Sequence, residues 1–170
     1  MPKKLPNYED LAKDYPAGKD AAKVRGDIGG SVDKSWYKNT CIIRVSKSLN
    51  SAGHPIPVDS GNFKTRKGAD GKWYGLGVQQ FWSYMRKTYG KPTVYAEKDA
   101  KSLRIPMEKF KGVRGIIGFR VKGWEDASGH FTLWNGFDLV YGGEDHDYFA
   151  ISYMAALWEA GSTRTTSAEI

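Results

Sequence analysis

The sequence predicts an α+β domain in which N-terminal helices pack on an antiparallel sheet that follows them. Three observations predict it. Helical periodicity is confined to the first half, where Ile42, Val45, Leu49 and Ala52 share one face and Val78, Phe81, Trp82 and Met85 share another. β-branched and aromatic runs fill the second half, at 113–121 and 131–134. Asn135-Gly136 lies between two such runs and is a strong hairpin signal.

The elements are expected in the following order. Residues 1–25 carry Pro2, Pro6 and Pro16 and read as a surface arm, with a short helix at 8–15. Gly29-Gly30-Ser31-Val32 reads as a turn. Asn39 or Thr40 can cap a helix that opens at Cys41, and Gly53 can end it. His54-Pro55-Ile56-Pro57 leaves that helix extended, because residues before proline avoid the helical region. Residues 60–71 are polar and read as a loop, and 73–76 lead into the helix at 78–89, ended by Gly90 and Pro92. Residues 93–112 are charged and show no decisive period. Strands follow at 113–121 and 131–134, with a loop at 122–129 between them. A two-residue turn at Asn135-Gly136 returns the chain along 137–141. Residues 142–147 form an acidic loop, 148–158 are apolar enough for a strand or a short helix, and the tail from 162 to 170 reads as frayed. The whole chain, 1–170, reads as one domain.

Composition narrows the function classes. The chain has 170 residues and a formal net charge of +7, with 26% charged residues spread along it, so it reads as globular rather than disordered. The excess of cations suits an anionic partner such as a nucleic acid, an acidic lipid surface or a cell-wall polymer. No run of five Lys or Arg occurs, which speaks against nucleic acid. The single cysteine excludes an internal disulfide. Neither a cleavable secretory signal nor an apolar run long enough for a membrane span is expected. The protein is therefore expected to be made in the cytoplasm and to leave, if it does, without a cleavable signal.

Cys41 falls in the first turn of its helix, where free N–H groups and the helix dipole favour a negative charge. Its thiol is expected to ionise more readily than a free cysteine and so to serve as a nucleophile, with its own backbone N–H as an oxyanion donor. The bland alternative is a buried apolar side chain, common for free cysteine. A thiol nucleophile needs a base and a group that orients the base. His54 lies beyond the far end of the Cys41 helix, about 18 Å away, and reads as a solvated loop residue. His146, within Glu144-Asp145-His146-Asp147, reads as a charge-paired surface group. His130 opens a strand, where a side chain can project at the sheet rim. For the third group, Asp138, Asn135 and Asp145 are candidates. A two-residue turn pairs Trp134 with Phe137 and sets His130 across from Tyr141. Asp138 then points to the other face, and even a bulged turn leaves it about 13 Å along the strand from the partner of His130.

The residues that bear on chemistry resemble a known family. They are Ile28-Gly29-Gly30; Asn39-Thr40-Cys41-Ile42-Ile43-Arg44-Val45-Ser46 with Leu49-Asn50 and Gly53; Tyr89-Gly90-Lys91-Pro92; Gly115-Ile116-Ile117; and Gly123-Trp124 with Gly129-His130-Phe131-Thr132-Leu133-Trp134-Asn135-Gly136. Across 27–158 the chain resembles the type VI secretion amidase effectors of family four, compact relatives of the papain-like NlpC/P60 peptidases. The resemblance implies a papain-like fold, Cys41 as nucleophile, His130 as base, and no metal or cofactor. In the family the orienting aspartate follows the histidine at an offset that falls on Tyr141 here, and Asp138 is the nearest acid if the turn is remodelled. It implies peptide stems of bacterial peptidoglycan as substrate, cut between γ-D-glutamate and meso-diaminopimelate. It also implies components of the secretion machine and a cognate immunity protein as partners, and action in the periplasm of a target bacterium. Two alternatives are weighed: an acyl or peptidyl transferase on the same Cys/His pair, and a basic non-enzymatic binder of nucleic acid or membrane.

Overall fold

The computed structural model describes residues 2–122, 129–142 and 146–161. The expected loop at 123–128, the middle of the acidic loop at 143–145 and the tail beyond Gly161 lie outside the described residues. Helix α1 (Tyr8–Lys13) starts at Asn7, whose side chain accepts the Asp10 N–H. Helix α2 (Ala21–Ile28) starts in the same way at Asp20, which accepts the Lys23 N–H. Such side chains take up donors that the first helical turn leaves unpaired. A 3-10 turn (Gly30–Val32) then leads to α3 (Cys41–Ser51). Strands β1 (Thr65–Lys67) and β2 (Trp73–Gly75) pair as a small hairpin. Helix α4 (Val78–Tyr89) ends at Gly90. The remaining elements are β3 (Val94–Glu97), a 3-10 turn (Met107–Phe110), β4 (Gly115–Arg120), β5 (Gly129–Trp134), β6 (Leu139–Val140), α5 (Tyr148–Ile151) and β7 (Met154–Glu159).

The main sheet is antiparallel, in the order β3-β7-β4-β5-β6. This is the α+β architecture expected, with α3 and α4 packed on one sheet face. Alternation along the strands sorts the side chains. Ile116, Phe131, Leu133, Ala156 and Trp158 turn toward α1, α3 and α4. Ile117, Phe119, Trp134, Ala155 and Leu157 turn the other way, onto Phe110, Tyr148 and Phe149. The outer side of α3 is covered by a third cluster, in which Ile43 meets Val24, Ile28, Val32 and Tyr74. Helix α3 is thus buried on nearly every side, and each fully buried Ile, Leu or Phe contributes about 1.5–3 kcal/mol of transfer free energy.

Several expectations are corrected. Residues 1–25 hold two helices and send Leu5, Tyr8, Leu11 and Tyr15 into the main core. Residues 60–71 hold β1, and the edge strand β3 lies within the charged stretch 93–112. Residues 148–158 form both a helix and a strand, and β7 sits between β3 and β4. The hairpin after β5 is longer than two residues. Trp134 pairs with Leu139 rather than Phe137, so residues 135–138 form the connection and the return strand shrinks to Leu139–Val140. The side chain of Asn135 causes this, because its Oδ1 accepts the N–H groups of both Phe137, at 2.8 Å, and Asp138, at 2.7 Å. Gly136 takes the φ of 101° that the turn requires, which other residues rarely adopt.

Candidate active site

Cys41 opens α3 and is 3% exposed. Its N–H donates to Asn39 Oδ1 at 3.1 Å, so Asn39 takes up the first donor of the helix. Thr40 makes no capping bond through its side chain, because its hydroxyl accepts from Arg44 Nε at 3.0 Å. The sulfur is faced by the backbone N–H groups of Phe131, Ile42 and Cys41 and lies within reach of the Arg44 charge. All four favour a thiolate, yet burial outweighs them and pushes the thiol up to about 11. The expected low thiol pKa is therefore corrected: the helix dipole is present, but the sulfur is too far out of water for it to win.

The Phe131 amide brings the backbone of β5, next to His130, to the sulfur. Among the described residues, β6 pairs with β5 at Leu133 and Trp134, and none of them pairs with Gly129–Thr132 on that side. There the Phe131 N–H meets the Cys41 sulfur, and His130 precedes Phe131 in the chain. The imidazole lies across the ladder from Phe119 and stacks flat on the Tyr148 ring, with centroids 4.0 Å apart and planes 1° apart. Its Nε2 is buried and has no hydrogen-bond partner among the described residues. Burial first, then the charges of His146 and Arg44, push its pKa down to about 3. At neutral pH the pair is thus an uncharged thiol and an uncharged imidazole, with one nitrogen left for a proton.

The other candidates are placed as follows. Asp138 sits in the turn, with its N–H on Asn135 Oδ1 and its carbonyl accepting from the Asn135 N–H at 3.1 Å. It is level with the far end of β5, about 13 Å along the strand from His130. Asn135 spends its side chain on the same turn. Extending the observed pairing sets Tyr141 level with Thr132 rather than His130. The Tyr141 hydroxyl donates to the His146 carbonyl at 3.0 Å. Asp145 lies outside the described residues. His54 is bound through Nδ1 to the Tyr89 hydroxyl at 2.8 Å. Sequence reasoning missed Tyr148, whose aromatic ring inside an ambiguous apolar run carried no signal of its partner. It also missed Arg44, whose one signal was a charge on the apolar Cys41 helix. Among the described residues no cluster of His, Cys, Asp or Glu could hold a metal ion, and no helix is long and apolar enough to cross a membrane.

Comparison with known proteins shows the family. The model of the family described as type VI secretion system amidase effector protein 4, or Tae4, matches residues 37–163. No curated protein sequence matches the chain. The crystal structure of Tae4 from Salmonella typhimurium, solved in complex with the immunity protein Tai4 from Enterobacter cloacae, is 30% identical with a TM-score of 0.79, over 92% of this chain and 99% of that one. The crystal structure of the type VI effector Tae4 from Enterobacter cloacae is 27% identical with a TM-score of 0.79, over 95% of this chain and all of that one. On the family match and these likenesses, the chain belongs to the Tae4 family of type VI secretion amidase effectors and is a peptidoglycan amidase.

Proposed function

We propose that the chain is a cysteine D,L-endopeptidase toxin that cuts the γ-D-glutamyl–meso-diaminopimelate bond of peptidoglycan stems, with Cys41 as nucleophile and His130 as general acid and base. The observation that supports this reading is the Phe131 amide turned to the Cys41 sulfur, with His130 the preceding residue of β5. As Sγ attacks the amide carbonyl, its proton passes to Nε2 of His130, the buried nitrogen that has no partner among the described residues. The protonated ring then gives that proton to the leaving amine, and a thioester to Cys41 remains. Water, deprotonated by the same nitrogen, releases the carboxylic acid and restores the thiol. The flat stack on Tyr148 holds the plane of the ring through both transfers. The Cys41 N–H, now engaged by Asn39, would serve the oxyanion only by exchanging that partner.

The same reading extends to partners and place. The Tae4 structures from Salmonella typhimurium and Enterobacter cloacae hold the immunity protein Tai4. A cognate immunity protein with acidic side chains would suit the +7 charge of this chain. Delivery by type VI secretion components would place it in a target periplasm, where the stems are.

Digestion of purified sacculi, with fragments assigned by mass, tests the activity and the bond together. Cys41→Ala and His130→Ala are each expected to lose at least about a thousandfold in rate. Full activity in either variant, or fragments cut at another bond, overturns the corresponding part of the reading.

A further inference from the structure

Arg44 lies one turn after Cys41 and is 4% exposed. Its guanidinium stands where three segments distant in sequence meet. One nitrogen donates to the Pro16 carbonyl and the other to the Lys19 carbonyl, each at 2.7 Å. Its Nε holds the Thr40 hydroxyl at 3.0 Å, and its backbone N–H holds the Thr40 carbonyl at 2.9 Å. Thr40 is therefore gripped twice, and it is the residue that precedes the sulfur. The third segment is the return from β6. There the Gly18 N–H donates to the Gly142 carbonyl at 2.6 Å. Gly142 lies flat against the guanidinium, so close that a Cβ on it would come within 2.6 Å of Arg44 Cδ and Nε. Arg44 can swing aside to relieve this only by giving up its bonds to Pro16, Lys19 or Thr40.

We infer that Arg44 is a positioning residue for the amidase reaction: it clamps residues 16–19 and the Tyr141–Gly142 return to the N-terminal turn of α3, and so fixes Cys41 against the edge of β5. The inference rests on the proposed Cys41/His130 chemistry. The clamp differs from ordinary packing, which would not call for a planar fork with each of its three nitrogens aimed at an acceptor. It is also charged, and the groups around the sulfur feel it. Those groups are Cys41 itself, Tyr15 after α1 and His130 on β5, the last also facing His146. The guanidinium favours the thiolate of Cys41, so its removal should leave the thiol harder to ionise.

The test uses the full chain with Arg44→Met, Arg44→Lys and Gly142→Ala, and Cys41→Ala as control. Turnover and KM are measured on a soluble muropeptide, and the rate of iodoacetamide modification is followed across a pH series. Arg44→Met is expected to lower kcat by about tenfold or more, as a misplaced nucleophile does, with KM within about twofold. Its modification profile should move to higher pH. Arg44→Lys should return that profile toward the parent's but leave kcat low, since an ammonium has no fork. Gly142→Ala keeps the charge and displaces the fork, so it should lower kcat while leaving the profile in place. Should Arg44→Met fail to fold, Gly142→Ala decides the matter. Parental kcat in the folded variants, with Cys41→Ala inactive, overturns the clamp. Residual activity in Cys41→Ala overturns the cysteine mechanism instead.

Discussion

The sulfur and the imidazole are held in their uncharged forms by burial, and this has a consequence for stability. His130 takes a proton near 6.5 when unfolded but only near 3 in the fold. The unfolded chain thus binds the extra proton first as pH falls, and stability should drop from pH 6.5 downward. Cys41 runs the other way: its thiol loses a proton near 9 when unfolded and near 11 when folded, so stability should drop as pH rises above 9. A plateau between the two is expected. Urea unfolding of the parent, His130→Asn and Cys41→Ala across pH checks it. Between about pH 5.5 and 6.5, where ordinary carboxylates are ionised, the parent should lose stability more steeply than His130→Asn. Equal slopes would show that the imidazole is not buried uncharged. Both residues were legible in the sequence, one as the lone thiol at a helix start, the other as a histidine opening a strand. The acidity of the thiol was not. A helix dipole is worth about 1 kcal/mol or less, whereas a single pKa unit is about 1.4 kcal/mol. Burial depends on β5 and the arm, which are remote in sequence.

The hairpin from β5 to β6 shows what a short motif can and cannot specify. Asn135-Gly136 marked the turn correctly, but its length was settled by a side chain that accepts two N–H groups beyond the dipeptide. A register two residues longer then moved Tyr141 away from His130. Asn135→Ala should therefore cost about 1–2 kcal/mol, because two turn donors lose their acceptor. Asp138→Ala, which removes a carboxylate but neither backbone bond, should change stability by about 0.5 kcal/mol or less. Both should keep turnover within about threefold, since the turn lies about 13 Å from the imidazole. Chemical unfolding and muropeptide assays on the two variants check this, and loss of activity in Asp138→Ala alone would return that carboxylate to the mechanism. The run 148–158 was ambiguous for a different reason. β7 is buried along most of its length and α5 is one short turn whose exposed residue, Ile151, is apolar, so neither shows the polar face that periodicity needs, although Asp147 capping the Ala150 N–H marks the helix start.

At the scale of the whole molecule, α3 is the axis. The sheet lies on one side of it, the α2–β2 cluster on the other, and the arm across its mouth. The arm was misread as surface because its prolines and charges mask four core side chains spaced along it, Leu5, Tyr8, Leu11 and Tyr15. The charge of the whole was legible at once, and it leads to a separate test. A molecule at +7 meeting an anionic wall should be concentrated on it by long-range attraction. That attraction fades as salt shortens the screening length from about 30 Å at 0.01 M to about 8 Å at 0.15 M. The bond-making steps proposed for Cys41 and His130 rest on short-range contacts and should hardly notice. Raising salt across that range should therefore slow digestion of intact sacculi while leaving hydrolysis of a small soluble muropeptide nearly constant. Parallel assays on the two substrates measure the difference. If both rates fall together, salt acts on the site or on folding; if neither falls, the cations of this surface have no part in finding the wall.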